Sequence, residues 1–254
     1  MFYNTIDPVL LDLGPVQIRY YGLVYVFGFL LALYFLNRYK DRLKLTEDDI
    51  YDLLMYLILG VLIGARLAHV LFWEPSFYLA NPLEIFMLWK GGMAFHGGLI
   101  GIMVAAWLYS KKKKINWLVL GDVLAAPAVF ALAIGRLANF ANQELYGPVT
   151  DKAWCVVFES AEGCRHPYQI YSFLKRMLVF SWLVFLMMKK KFKDGFIFWN
   201  MFFLINLGRF FIDFWRVDAR LLLLTAGQYL AVVLFLIASF ILWKDYRQEF
   251  KKIF

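Results

Sequence analysis

The sequence predicts an all-α integral membrane protein of about seven transmembrane helices. Its N-terminus is expected outside, its C-terminus in the cytoplasm, with a small extracytoplasmic head. Three observations carry this. First, 62% of the 254 residues are hydrophobic, 20% are aromatic, and mean hydropathy is +0.61. Too few polar residues remain to coat a water-soluble domain of this size. Second, the apolar residues fall in blocks, such as 20–36 and 196–211, long enough to cross or nearly cross a hydrocarbon layer ~30 Å thick. Third, the positive charge alternates along the chain.

Apolar runs read against their flanks give spans at 20–36, 52–73, 94–110, 117–138, 169–188, 196–215 and 227–243. Basic clusters follow the first, third, fifth and seventh: Arg38, Lys40, Arg42 and Lys44; Lys111 to Lys114; Lys189, Lys190, Lys191 and Lys193; Lys244, Arg247, Lys251 and Lys252. They hold 16 of the 27 Lys and Arg. Any one cluster could be a solvated helix end. Four in strict alternation all lie on one face, and the positive-inside rule makes that face cytoplasmic. The net charge of +8 therefore reads as topology, and no nucleic-acid partner is expected. No basic segment followed by an apolar core opens the chain, so no cleavable signal peptide is expected.

Residues 1–19, 74–93, 139–167 and 216–226 then lie outside. Gly14-Pro15 and Asn81-Pro82 are turn signals, and 83–90 suits a short helix in the membrane interface with Trp89 and Lys90 as anchors. Residues 154–158 read as a short β segment within a head insert at about 140–167. Cys155 and Cys164 share that insert, and a disulfide or two free thiols fit equally. With no internal repeat, the chain reads as one transmembrane domain, 1–254.

Several arginines lie where water is scarce. An arginine at a helix centre costs about 2.5–3.5 kcal/mol on insertion scales, so it usually faces a polar cavity or a partner. Arg136 and Asn139 are three apart and share a helical face. Asn206, Arg209, Asp213 and Arg216, spaced three, four and three, form a polar stripe on an aromatic helix. Arg66 adds a cation to the second span. Interhelical ion pairs would explain any one of these residues. Together they outnumber the intramembrane acids, because Asp213 cannot neutralise both of its neighbours. An anion is the simplest missing counter-charge, and the guanidinium fork suits phosphate.

Glycines around His96, in Gly91-Gly92-Met93-Ala94-Phe95-His96-Gly97-Gly98-Leu99-Ile100-Gly101, allow close backbone approach at a membrane mouth. His96 falls in a first helical turn, where the dipole disfavours an added positive charge. That suits a proton acceptor, although a lone histidine is more often structural. His69 and His166 have weaker cases. No metal-ligand spacing, nucleotide phosphate loop or serine-nucleophile elbow occurs, so metalloprotease, ATPase and serine-hydrolase readings lose their footing. A transporter or channel for an anionic substrate is the alternative, although no paired broken helices favour it. An intramembrane protease would need facing acids, and Asp122 and Asp213 fall at opposite ends of their spans.

The glycine-rich motif and Gly135-Arg136-Leu137-Ala138-Asn139-Phe140 closely resemble the bacterial prolipoprotein diacylglyceryl transferase family. So do Tyr20-Tyr21-Gly22-Leu23, Arg165-His166-Pro167, Gly208-Arg209-Phe210, Phe214-Trp215-Arg216 and Gly227-Gln228, in order over nearly the whole chain. The resemblance implies a multi-pass enzyme of the cell membrane with no cofactor or metal. It implies transfer of the diacylglyceryl group of phosphatidylglycerol, or a related anionic phospholipid, to the lipobox cysteine of a prolipoprotein. A thioether forms and glycerol phosphate leaves. Matching motifs imply His96, Arg136, Arg209 and Tyr21 as catalytic residues. They imply Arg136, Asn139, Glu144, Arg209, Arg216, Gly97 and Gly98 as substrate-binding residues. In this reading Arg136 and Arg209 grip the phosphate, and His96, directly or through Tyr21 or water, helps form the thiolate. Departures from the family pattern are Ser172 for a usual Glu, Lys175 and Arg176 where an acid is common, Asp213 for Glu, and Gln143 for a common Gly.

Overall fold

The computed structural model describes residues 2–14, 17–189 and 192–253. The Pro15 half of the expected turn, and Lys190 and Lys191 of the third basic cluster, lie outside the described residues. The chain divides into two compact units, residues 1–31 with 124–254, and residues 32–123.

The nine α-helices among the described residues are α1 (Tyr20–Arg38), α2 (Lys40–Leu43), α3 (Glu47–Phe72), α4 (Pro75–Ala80), α5 (Phe95–Lys113), α6 (Trp117–Ala141), α7 (Tyr168–Lys189), α8 (Phe196–Ile212) and α9 (Ala226–Tyr246). Seven of them coincide with the predicted spans to within a few residues. Six are long and apolar enough to cross a membrane. The other, α5, has the same 19-residue length as α1, but His96 and glycines dilute one end and Lys111 to Lys113 the other. Apolar side chains along these helices are widely exposed, among them Leu30, Leu71, Leu178, Met188 and Phe240. That surface is expected of helices bathed in lipid rather than water.

Local chemistry sets the helix ends. Thr46 and Asp49 form a reciprocal capping box, and this starts α3 at Glu47, five residues before the predicted span. Thr225 and Gln228 do the same for α9. Lys44 and Lys114 close α2 and α5 in the left-handed region, at φ 57° and 55°. These lysines also place positive charge where helix carbonyls are unpaired.

In the 32–123 unit, α3 packs on α5 through facing glycines. A Cβ on Gly101 would come within 2.0 Å of the Gly60 carbonyl oxygen, and one on Gly97 within 2.3 Å of the Gly64 carbonyl. Small residues four apart let the two backbones touch, the usual basis of tight helix association in a bilayer. Gly101→Ala must push backbone apart, so a loss of at least about 1–3 kcal/mol is expected. Thermal unfolding in detergent would show it as a midpoint several degrees lower, and an unchanged midpoint would contradict the seam.

The same unit corrects two expectations. Residues 83–90 do not form one interfacial helix. They form two 3₁₀ turns, Pro82–Phe86 and Leu88–Lys90, broken at Met87. The cause is Arg66, which is not a spare cation for an anion site. Its guanidinium donates to the carbonyls of Glu84 (2.5 Å), Ile85 (2.9 Å), Gly91 (2.5 Å) and Gly92 (3.0 Å). A buried arginine that can gather carbonyls in this way bends the loop around itself.

In the other unit, α8 packs on both α7 and α9. The predicted β segment appears as β4 (Val156–Phe158), antiparallel to β5 (Cys164–Arg165). Cys155 and Cys164, left open by the sequence, form a disulfide with Cα atoms 5.5 Å apart. An N-terminal strand, β1 (Phe2–Asn4), adds in parallel to β4, and the buried Asn4 amide donates to the Phe140 carbonyl at 2.7 Å. The chain's first residues thus tie the insert to the end of α6. β2 (Val9–Asp12) and β3 (Gln17–Arg19) pair antiparallel ahead of α1. β6 (Arg220–Leu221) and β7 (Leu224–Thr225) form a small hairpin ahead of α9.

Candidate functional site

Near its C-terminal end α6 carries Arg136 and Asn139, and the expected shared face is present: Arg136 Nη1 donates to Asn139 Oδ1 at 3.1 Å. The Asn139 amide donates to Glu144 Oε1 at 2.9 Å and to the Tyr21 hydroxyl, which itself donates to Glu144 Oε1. Four of the sequence-derived residues therefore form one chain of hydrogen bonds, and Glu144 is its only full negative charge. The backbone arranges this. Gln143 takes a left-handed φ of 56°, which turns the chain back so that the Glu144 amide reaches the Asn139 carbonyl at 3.0 Å. A common glycine at this position has its reason in that conformation. Gln143 meets the same demand and fastens the turn to the insert, accepting from the Glu159 amide at 2.6 Å and the Ser160 hydroxyl at 2.7 Å.

The polar stripe of α8 is only partly in the site. Arg209 Nε donates to Asp213 Oδ2 at 3.1 Å, an i,i+4 pair. Asn206 turns away and donates to its own helix, at the Phe202 carbonyl, so its polarity is structural. Arg216 sits past the helix, where its Nε meets Asp218 Oδ2 at 3.1 Å. One acid therefore does not have to serve both arginines, because a second acid outside the span takes Arg216. Arg136 has no carboxylate within ion-pair distance among the described residues.

Tyr168, not singled out in the sequence, organises these groups. It is 2% exposed, and its hydroxyl donates to Asp213 Oδ1 at 2.6 Å. Its ring lies 5.9 Å from the Arg136 guanidinium and 5.8 Å from that of Arg216, within cation–π range. The charges of Arg136, Arg209, Arg216 and Asp213 interact, which makes this a cationic cluster around one aromatic ring. The clue available in the sequence was position: Tyr168 follows His166-Pro167 at the start of a span. Gly227 and Gln228 support the cluster from α9. A Cβ at Gly227 would come within 2.5 Å of Arg209 Nη2, and Gln228 Nε2 donates to the Phe210 carbonyl at 2.9 Å.

The remaining expected residues are placed as follows. His96 is exposed in the first turn of α5, its ring edge-on to Phe95 at 5.6 Å. Gly97 and Gly98 are buried, and Gly97 belongs to the glycine seam with α3. His166 Nδ1 lies 3.0 Å from the Tyr171 hydroxyl, and His69 Nε2 lies 3.9 Å from Glu74. Asp122 pairs with Arg42 at 2.7 Å and Asp213 with Arg209. Neither is a spare acid for an aspartyl protease.

An arginine without an acid beside a second arginine paired through Nε is a setting for a phosphate. Comparison with known proteins shows the family. The profile of the family described as prolipoprotein diacylglyceryl transferase matches residues 8–244. A phosphatidylglycerol–prolipoprotein diacylglyceryl transferase of Geobacter sulfurreducens is 40% identical over 245 residues, 93% of this chain and 94% of the relative. The enzyme of the same name from Bordetella parapertussis is 42% identical over 243 residues, 91% of this chain and 92% of its own. One from Pseudomonas savastanoi is 38% identical over 263 residues, 97% and 96% of the two chains. With matches of this identity along almost its full length, the chain belongs to the prolipoprotein diacylglyceryl transferase family.

Proposed function

We propose that this chain moves the diacylglyceryl group of phosphatidylglycerol to the lipobox cysteine of a prolipoprotein, with Arg136 and Arg209 holding the lipid phosphate. The observation that carries the phosphate grip is Arg136. It is a cation set in an apolar helix, hydrogen-bonded to the neutral Asn139 amide oxygen and to no carboxylate among the described residues. The protein is a multi-pass enzyme of the cytoplasmic membrane.

The reaction sets the electrostatic demand. The cysteine sulfur attacks the glyceryl carbon that carries the phosphate ester. A C–S bond forms, the C–O bond breaks, and its electron pair moves onto a phosphoryl oxygen. A phosphodiester with one negative charge becomes a glycerol phosphate approaching two. Guanidinium groups already in place stabilise that growing charge without reorganising. Asn139, Glu144 and Tyr21 keep the Arg136 head in position, and Arg216 adds positive potential for the head group. His96 is proposed to accept the thiol proton, since the thiolate is the competent nucleophile.

In the same reading α5 crosses as well, as the third of seven spans, the N-terminus is outside, the C-terminus is cytoplasmic and residues 140–167 form an extracytoplasmic head. The whole chain, 1–254, acts as one transferase domain. Both substrates are held by the bilayer, so each reaches the arginines laterally between helices.

The test is transfer from acyl-labelled phosphatidylglycerol to a lipobox peptide by the purified chain in detergent. The expected result is a peptide heavier by one diacylglyceryl group, with glycerol phosphate released in equal amount. Folded protein that leaves the peptide unmodified overturns the proposal. Gly227→Ala offers a finer check. The three atoms nearest its new Cβ all belong to the flexible end of Arg209, so the fold is expected to hold. The displaced guanidinium is expected to raise the KM for lipid roughly tenfold, the loss of one charge-assisted contact.

A further inference from the structure

Two cations of α7 have no place in the grip described above. Arg176 is 7% exposed. Its Nη1 donates to the Ser172 carbonyl at 3.0 Å and to the Ser172 hydroxyl, while its buried Nε has no partner. Lys175 lies across α8 at Gly208, where a Cβ would come within 2.4 Å of the lysine Cδ. Its Nζ reaches the Ile205 carbonyl at 3.5 Å. Neither meets a carboxylate within ion-pair distance among the described residues. Both interact electrostatically with Arg136, Arg209 and Asp213.

The plain alternative is packing, with aliphatic stems filling space between helices while the charged heads reach for water. It fits Lys175 poorly and Arg176 worse, because a buried guanidinium with one nitrogen unsatisfied and no acid within ion-pair distance keeps a desolvation penalty that nothing offsets. The charges also fail to balance with a phosphodiester in place. One lipid phosphate, Asp213 and Glu144 supply three negative charges against the four basic side chains of Arg136, Lys175, Arg176 and Arg209. A phosphomonoester supplies about 1.5–2 by itself.

We propose that Lys175 and Arg176, beside Arg209, form an anion subsite for the dianion of a phosphomonoester. Two sources share this chemistry: the glycerol phosphate released by transfer, and a phospholipid whose head group ends in a phosphomonoester. The inference rests on the transferase reading. Its consequence is that the chain holds its own product, or prefers the more highly charged lipid, through residues that are not needed to grip a simple diester.

The experiment uses the full chain in detergent, as wild type, Lys175→Gln/Arg176→Gln and Ser172→Glu. The last places a carboxylate one helical turn from Arg176 and neutralises the subsite without removing its cations. Added glycerol phosphate is titrated against transfer from phosphatidylglycerol. In parallel, phosphatidylglycerol bearing a terminal phosphate is compared with phosphatidylglycerol as donor. If the product is the ligand, both variants weaken inhibition by glycerol phosphate at least roughly tenfold, and by clearly more than they change the KM for phosphatidylglycerol. If the lipid head is the ligand, wild type favours the phosphorylated donor and both variants lose that preference. If neither inhibition nor donor preference changes in Ser172→Glu or the double variant, with unfolding midpoints as in wild type, the subsite is overturned. A wild type that transfers nothing would instead remove the transferase reading.

Discussion

Arg136→Gln is expected to lower kcat for diacylglyceryl transfer by about 10²–10³, with a thermal unfolding midpoint close to wild type. The choice of glutamine isolates the charge. Its amide can still donate to Asn139 Oδ1, now held by Arg136 at 3.1 Å, so the chain of bonds through Asn139, Tyr21 and Glu144 stays supported. What disappears is the positive charge that the proposed grip sets against the phosphoryl oxygen as the C–O bond breaks. The loss should fall mainly on kcat, because the negative charge roughly doubles between bound diester and departing monoester. Arg136→Lys is expected to recover only part of the rate, since an ammonium keeps the charge but loses the planar fork. Full activity of the glutamine variant in detergent would remove the phosphate grip from this site.

His96→Ala is expected to cost at least about thirtyfold at pH 7, and the dependence on pH is the more telling readout. A cysteine thiol with an ordinary pKa near 8.5 is only ~3% thiolate at pH 7. An enzyme deprived of its proton acceptor is left with that fraction. As pH rises past 8.5 the thiol ionises unaided, so the gap between variant and wild type should close. A loss much greater than thirtyfold would mean that the bilayer environment raises the thiol further, as desolvation does to any group that charges on deprotonation. A variant whose activity is depressed equally at pH 7 and pH 9 would show that His96 serves structure and not proton transfer.

Much of the helical layout was legible in the sequence because bilayer insertion depends on local composition. A run of some twenty apolar residues forms a helix whatever surrounds it, since unpaired backbone groups are too costly in hydrocarbon. The errors lay at positions governed by distant partners. Residues 83–90 looked like an interfacial helix until Arg66, from α3, drew their carbonyls inward. The early start of helix α3 is the exception and has a local cause, since Thr46 and Asp49, three residues apart, cap each other. The strand Phe2–Asn4 gave no sign of its partner, because its pairing with β4 spans most of the chain.

The candidate site divides in the same way. Spacing alone placed Arg136 with Asn139 and Arg209 with Asp213, each pair three or four apart on one helix. Spacing also suggested Asn206, whose amide folds back on its own helix. Nothing in the local pattern marked Tyr168 as the ring between two guanidinium groups, Gly227 as the space that admits Arg209, or Lys175 and Arg176 as neighbours of that arginine.

By itself the sequence determined the membrane class, the alternating basic junctions, the helical segments and the identity of the arginines, because each follows from hydropathy, charge or helical period. Only the tertiary structure decided which side chains gather around Tyr168, between the Arg136 and Arg216 guanidinium groups and against Asp213. That is settled by side chains from α6, α7 and α8 meeting across their packing surfaces, and a helical period of 3.6 residues says nothing about which face of another helix it will meet.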